Sequence, residues 1–212
     1  MDKLQVIKKL GEEKLVAVIR AESKEQGFKV IDAVKAGGIK FLEITLTVPG
    51  AIDIIKELVE KYKDEELYIG AGTVLDSETA RLAILAGATY VVSPFLSEEV
   101  VKMCNRYRVP CLPGVQTIKE IVAALELGVD VAKVFPGDAY SPSIIKSFKG
   151  PIPQGNFMPT GGVSLENVGD WITAGAYAVG TGSSLTAGAK TGDYAAVTAE
   201  AKKFVEAVAK YK

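Results

Sequence analysis

Two rhythms of apolar and polar positions alternate along the chain. Short apolar or alternating runs occur as LVAVI from residue 15, KFLEIT from 40, LYIGAG from 67, TYVVSP from 89, PCLPG from 110, VAKVFP from 131, NFMPT from 156 and YAVGTG from 177. Runs of this length, rich in β-branched and aromatic residues, predict β-strands. Between them the period lengthens. In AIDIIKELVEKY, Ile52, Ile55, Val59 and Tyr62 recur at helical spacing, as do Val197, Ala201, Phe204 and Val208 in the last segment. Capping candidates open the helical stretches: Ser23 with Gln26, Asp76 or Ser77, Ser97, Thr117 with Glu120, Ser143, and Ser164.

The strand starts recur at intervals of roughly 21 to 27 residues, enough for a strand, a helix and two short loops. A small-residue turn precedes a strand in AGGIKFLEIT, AGATYVVSP, LGVDVAKVFP and AGAYAVGTG, where glycine supplies a left-handed helix cap. Eight strand–helix units without a linker or low-complexity tract predict an α/β fold, a single (β/α)₈ TIM barrel over residues 1–212. The amphipathic segment DKLQVIKKLGEE would be an extra N-terminal helix closing the bottom of the barrel. A doubly wound open sheet fits less well, because no GxGxxG follows a strand in dinucleotide-binding context.

Composition narrows the chemistry more than the fold. The 212 residues are 48% hydrophobic and 24% charged, with 25 basic and 26 acidic side chains. Near-neutral charge without a basic stripe argues against nucleic acid as a partner. The charge-interrupted N-terminus lacks the apolar core of a signal peptide or membrane span, which predicts a cytoplasmic protein with no membrane partner. Cys104 and Cys111 read as reduced structural thiols. The chain has no histidine, so a His-rich metal site is excluded and acid–base chemistry falls to Glu, Asp, Lys, Tyr or water.

In a barrel, the C-terminal ends of the strands form one mouth, and polar residues there are the candidates. They include Arg20, Glu43 with Thr45 and Thr47, Gly72 with Thr73, Ser93 with Pro94, Lys133, Thr160 with Gly161 and Gly162, and Gly182 with Ser183. Lys133 is the anomaly: in VAKVFPGD it shares a strand face with Val131 and Phe135. Glu43 likewise shares a face with Phe41 and Thr45. Such a pair can be a buried structural ion pair, or the lysine can reach solvent from the strand end. Alternatively, apolar surroundings penalise the ammonium and leave a neutral amine able to attack a carbonyl carbon, with the carboxylate moving protons. The TGG at 160–162 and GTGSS at 180–184 end neighbouring strands, where glycine backbone N–H groups and a following helix can bind phosphate. Arg20 could take a substrate carboxylate or phosphate, or form a surface salt bridge. Thr73 could bond a small ligand or its own turn, Phe135 packs against the lysine stem, and Trp171 belongs to the core.

The ordered set LEITLTVP, GAGTVL, VVSP, LPGV, AKVFPGD, MPTGGV and GTGSSL resembles the 2-keto-3-deoxy-6-phosphogluconate (KDPG) aldolase and 4-hydroxy-2-oxoglutarate (KHG) aldolase family. The resemblance implies a homotrimeric (β/α)₈ class I aldolase without metal or other cofactor, acting on a small keto-acid phosphate. It implies Lys133 as the Schiff-base lysine, Glu43 as the proton-transfer residue and Thr73 as a contact to the pyruvate part. Thr160, Gly161, Gly162, Gly182 and Ser183 match substrate-orienting and phosphate-binding loops, and Pro94 and Phe135 match the pocket lining. One position departs from the pattern. Familiar members carry arginine four residues after the glutamate as a carboxylate ligand, and here that residue is Thr47, leaving Arg20 or the N–H groups of Gly72 and Thr73 for the task. A phosphosugar epimerase on the same barrel and a non-catalytic phosphometabolite-binding protein are the competing readings.

Overall fold

A computed structural model describes residues 2–212. Helix α1 (Lys3–Glu13) precedes β1 (Leu15–Ile19), and strands then alternate with helices: α2 (Lys24–Ala36), β2 (Phe41–Thr45), α3 (Ala51–Lys61), β3 (Tyr68–Gly72), α4 (Ser77–Leu85), β4 (Tyr90–Val92) and α5 (Glu98–Tyr107). The second half runs β5 (Cys111–Leu112), β6 (Gly114–Val115), α6 (Ile118–Glu126), β7 (Ala132–Val134), α7 (Ser143–Lys149), β8 (Phe157–Pro159), α8 (Val168–Thr173), β9 (Val179–Thr181) and α9 (Tyr194–Ala209). All named strand pairs are parallel, in the orders β5-β4-β3-β2-β1-β9 and β6-β7-β8. A parallel bridge from Thr160 to Gly180 brings the end of β8 to β9. The result is an α/β fold around a curled parallel sheet.

The single strand expected over PCLPG is two pieces. Pro113 has no N–H to give the ladder, while its carbonyl accepts from Lys133 N at 2.9 Å. The next residue must be small, since a Cβ on Gly114 would overlap the backbone of Pro94.

Strand alternation divides the interior in two. One set of strand side chains packs outward against the helices, including Ala17, Ile19, Leu42, Ile44, Ala71, Val91, Ala132 and Val134. The other set points inward: Val16, Phe41, Tyr68, Tyr90, Val92, Leu112, Val131, Met158 and Ala178, with Val6 and Leu10 of α1 packed among them. Phe41 stacks on Tyr68 with centroids 4.3 Å apart and tilts against Tyr90 at 5.7 Å. These large rings fill the end of the curl from which the strands begin. Outside that end lies a chain of ion pairs: Lys40 meets Glu13 at 2.9 Å and Glu66 at 2.8 Å, Lys212 meets Glu13 at 2.8 Å, and Lys9 meets Glu66 at 3.3 Å.

Helix starts follow local capping chemistry. Ser23 accepts from Gln26 N, Asp76 from Thr79 N and Ser97 from Val100 N, and Thr117 with Glu120 forms a full capping box. A cap of this kind contributes about 1 kcal/mol. Two candidates do not cap. Ser143 is already inside α7, behind Pro142, whose fixed φ suits a helix entry. Ser164 forms a turn ahead of α8, with its N–H bonded to Asn167 Oδ1. In α3 the buried stripe is Ile54, Ile55 and Leu58, with Ile52 and Val59 on its half-buried flanks. In α9 the stripe is Val197, Ala201, Phe204 and Val208, as the spacing predicts. Trp171 is buried, and so are the free thiols Cys104 and Cys111. Among the described residues, no helix is long and apolar enough to cross a membrane.

Candidate active site

The ends of β1, β2, β7 and β9 and the loops after β3, β4 and β8 surround one cavity of about 90 Å³. Twelve of the residues singled out in the sequence line it: Arg20, Glu43, Thr45, Thr73, Pro94, Lys133, Phe135, Thr160, Gly161, Gly162, Gly182 and Ser183. They come from strands far apart in sequence and converge because each sits at the same end of the sheet.

Lys133 and Glu43 share the floor. Their side chains are 6% and 1% exposed, and Nζ lies 3.8 Å from Glu43 Oε1. Parallel pairing sets this up: Glu43 is level with Val18 and Gly70, and Lys133 with Gly114 and Met158. Glycine at 72 leaves the space that Glu43 fills, because a Cβ there would overlap its carboxylate. Lys133 Nζ also stands 4.8 Å from the centre of the Phe135 ring, an arrangement that restrains the amine laterally. Glu43 Oε2 is buried without a hydrogen-bond partner. A sterically held amine with one adjacent carboxylate can add to a carbonyl carbon while the acid moves protons beside it.

Around the floor, Thr73 has φ 58°, the left-handed region that a β-branched residue rarely enters. Thr160 Oγ1 is buried, unpartnered and part of the cavity wall. Gly161 and Gly162 have φ 99° and 68°, which only glycine adopts readily, and the two wrap around Asp138. Arg20 and Ser183, with Val18 and Gly182, also border an adjoining cavity of about 480 Å³ whose far side includes Gln26 and Lys190.

Three candidates, Thr47, Gly72 and the buried Ser93, lie outside the lining. Thr47 is exposed, and its hydroxyl is 2.9 Å from that of Thr45. Gly72 contributes space for Glu43 rather than a cavity surface. Two lining residues, Val18 and Val163, are ordinary apolar positions with no sequence signal, while the hydroxyl of the candidate Thr45 donates to Ile19 O at 2.9 Å. Among the described residues, no group of three or more Cys, Asp or Glu side chains is placed to hold a metal ion.

The geometry has counterparts in known proteins. The model of the KDPG and KHG aldolase family matches residues 6–200. A 2-dehydro-3-deoxy-phosphogluconate aldolase of Pseudomonas aeruginosa is 39% identical over 162 residues, covering 76% of this chain and 73% of that relative. A 2-dehydro-3-deoxy-6-phosphogalactonate aldolase of Escherichia coli is 34% identical over 172 residues, covering 81% and 83%. The crystal structure of a KDPG aldolase from Legionella pneumophila, with pyruvate captured as a covalent carbinolamine, superposes with a TM-score of 0.84 at 28% identity, covering 95% of this chain and 97% of that one. By family model and by close relatives alike, this chain belongs to the KDPG and KHG aldolase family.

Proposed function

We propose that the protein is a class I aldolase that reversibly cleaves 2-keto-3-deoxy-6-phosphogluconate to pyruvate and glyceraldehyde 3-phosphate. The observation that carries this reading is the buried approach of Lys133 Nζ to Glu43 Oε1 at 3.8 Å. The lysine amine attacks the 2-keto carbon, and Glu43, through a water, protonates the departing hydroxyl as carbinolamine becomes iminium. The iminium accepts the electron pair of the C3–C4 bond as Glu43 or its water takes the 4-hydroxyl proton and the aldehyde forms. The enamine left on Lys133 is protonated at carbon and hydrolysed to pyruvate, restoring the amine.

Thr73 and Thr160 orient the pyruvate half at the floor, Pro94 and Phe135 wall it, and Arg20 takes the carboxylate or phosphate in place of an arginine at Thr47. The phosphate sits on the N–H groups of Gly161, Gly162, Gly182 and Ser183, and the positive φ of Gly161 and Gly162 lets the backbone there approach oxygen closely. The galactonate epimer, an unphosphorylated 2-keto-3-deoxy sugar acid and 4-hydroxy-2-oxoglutarate (giving pyruvate and glyoxylate) fit the same chemistry. Comparing kcat/KM for the four substrates assigns the preferred one. Incubation with pyruvate and borohydride is expected to leave a pyruvate-derived mass adduct on Lys133; a chain that stays unlabelled overturns the mechanism.

The same reading makes the curled sheet a closed (β/α)₈ barrel, with β5 and β6 as one strand interrupted at Pro113 and α1 across its base. It makes the protein a cytoplasmic homotrimer. Exposed apolar side chains on successive strand–helix units, Leu75, Leu82, Leu85, Phe95, Ile118 and Val122, support an interface between subunits. Sedimentation equilibrium tests that assembly.

A further inference from the structure

Below the cavity floor, a second polar atom is buried without a partner besides Glu43 Oε2: the hydroxyl oxygen of Tyr90. The two residues stand on one row of the sheet. Glu43 on β2 is in register with Gly70 on β3, and Gly70 with Tyr90 on β4. A Cβ at Gly70 would overlap the tip of the Tyr90 ring, so the hydroxyl end of that ring reaches across β3 toward β2. One inward-facing position further along β3, a Cβ at Gly72 would overlap the Glu43 carboxylate. Two residues of strand span about 7 Å, and two consecutive O–H···O hydrogen bonds through one water cover most of that.

The chemistry of the two ends is complementary. Burial, with a smaller contribution from the Glu43 charge, pushes the Tyr90 hydroxyl well above its ordinary range, so it remains a donor at every working pH. Glu43 Oε1 faces Lys133, which leaves the buried, unpartnered Oε2 as the free acceptor. Phenylalanine would fill the same space against Phe41 without burying a hydroxyl.

We infer that Tyr90 is a positioning residue for Glu43, donating its O–H through one internal water to Oε2 and holding the carboxylate so that Oε1 faces Lys133. This rests on the reading of Glu43 as the proton-transfer group. The test compares Tyr90→Phe, Glu43→Gln and the double variant by steady-state and single-turnover cleavage of 2-keto-3-deoxy-6-phosphogluconate, thermal midpoint, and pyruvate–borohydride labelling of Lys133. Tyr90→Phe is expected to lower kcat about 5- to 10-fold, the scale of one lost hydrogen bond, with KM unchanged and Lys133 still labelled. In the Glu43→Gln background, the same change should have no further effect. If Tyr90→Phe keeps kcat within about twofold and raises the thermal midpoint, the hydroxyl is an orphan of the core and the inference fails. An equal loss in both backgrounds also overturns it. A slow Glu43→Gln beside a wild-type-like Tyr90→Phe removes the Tyr90 assignment alone, whereas a fully active Glu43→Gln removes the reading of Glu43 on which it stands.

Discussion

Glu43 occupies the volume that a side chain at position 72 would take, so Gly72 and the acid are a fitted pair on adjacent strands. Gly72→Ala is expected to fold, displace the carboxylate from Lys133 and lower kcat by about 10²-fold, the usual consequence of misplacing a reacting group by an ångström. Steady-state kinetics and a thermal melt check this. An alanine variant with wild-type kcat would show that the position of Glu43 does not matter to turnover.

Among the described residues, Lys133 is the one basic side chain within ion-pair distance of a nearly inaccessible Glu43. Lys133→Met should therefore abolish cleavage and also destabilise the fold, by about 3–5 kcal/mol, because it leaves a buried carboxylate unpaired. Adding Glu43→Gln should return part of that stability but none of the activity. Urea denaturation of the two single variants and the double variant measures this, and additive losses would contradict the pairing.

Thr73 sits in the left-handed region at φ 58°. Asparagine tolerates that conformation better than a β-branched residue, so Thr73→Asn should gain about 1 kcal/mol of stability. It should also raise KM for pyruvate in the condensation direction if the hydroxyl binds substrate. A thermal midpoint that falls would place the strain elsewhere.

Arg20 borders the cavity, whereas Thr47 is exposed outside its lining. Losing a charge-assisted hydrogen bond costs about 1.5–3 kcal/mol, so Arg20→Gln should raise KM about tenfold or more. Thr47→Ala, an exposed substitution, should stay within about twofold of wild type. The opposite ranking would move the anion-binding role to Thr47.

Acid stability should depend on Lys40. Burial pushes the Glu13 carboxyl up, but hydrogen bonds from Lys212 and Lys40 outweigh it and hold the group below its ordinary 4.5. Hydrogen bonds from Lys40 and Lys9 lower Glu66 likewise. Groups lowered in the folded state add stability above about pH 4.5 and lose it as the pH falls through their folded values. Lys40 itself is raised by its bonds to Glu66 and Glu13, so its contribution is complete at neutral pH and is lost only in strong alkali. Urea midpoints between pH 7 and 3 should fall less steeply for Lys40→Ala than for wild type; parallel curves would count against the network.

The sequence makes the strand–helix alternation legible because a period of 2 and a period of 3.6 leave different patterns in apolar side chains. Lys133 and Glu43 are legible for the same reason, each being a charge on the inward phase of an apolar strand. What stays hidden depends on neighbours in space. Nothing in LYIGAG says that Gly70 accommodates Tyr90 and Gly72 accommodates Glu43, since those contacts follow from strand register. The break at Pro113 and the exposure of Thr47 are likewise set by which neighbour each backbone group meets. In α3 the stripe shifts because Ile54 and Leu58 face the sheet more squarely than Ile52 and Val59 do.

Strand β3 presents Tyr68, Gly70 and Gly72 to the interior in that order, a phenol followed by two absent side chains. With the aromatic rings and α1 packed at one end, the inner space is filled there and opens toward the strand ends. Under the proposed mechanism, the fragment joined to Lys133 stays at the narrow end while the free fragment lies nearer the mouth and departs first. On that reading the order of product release follows from placing Lys133 at the closed end of the inner space.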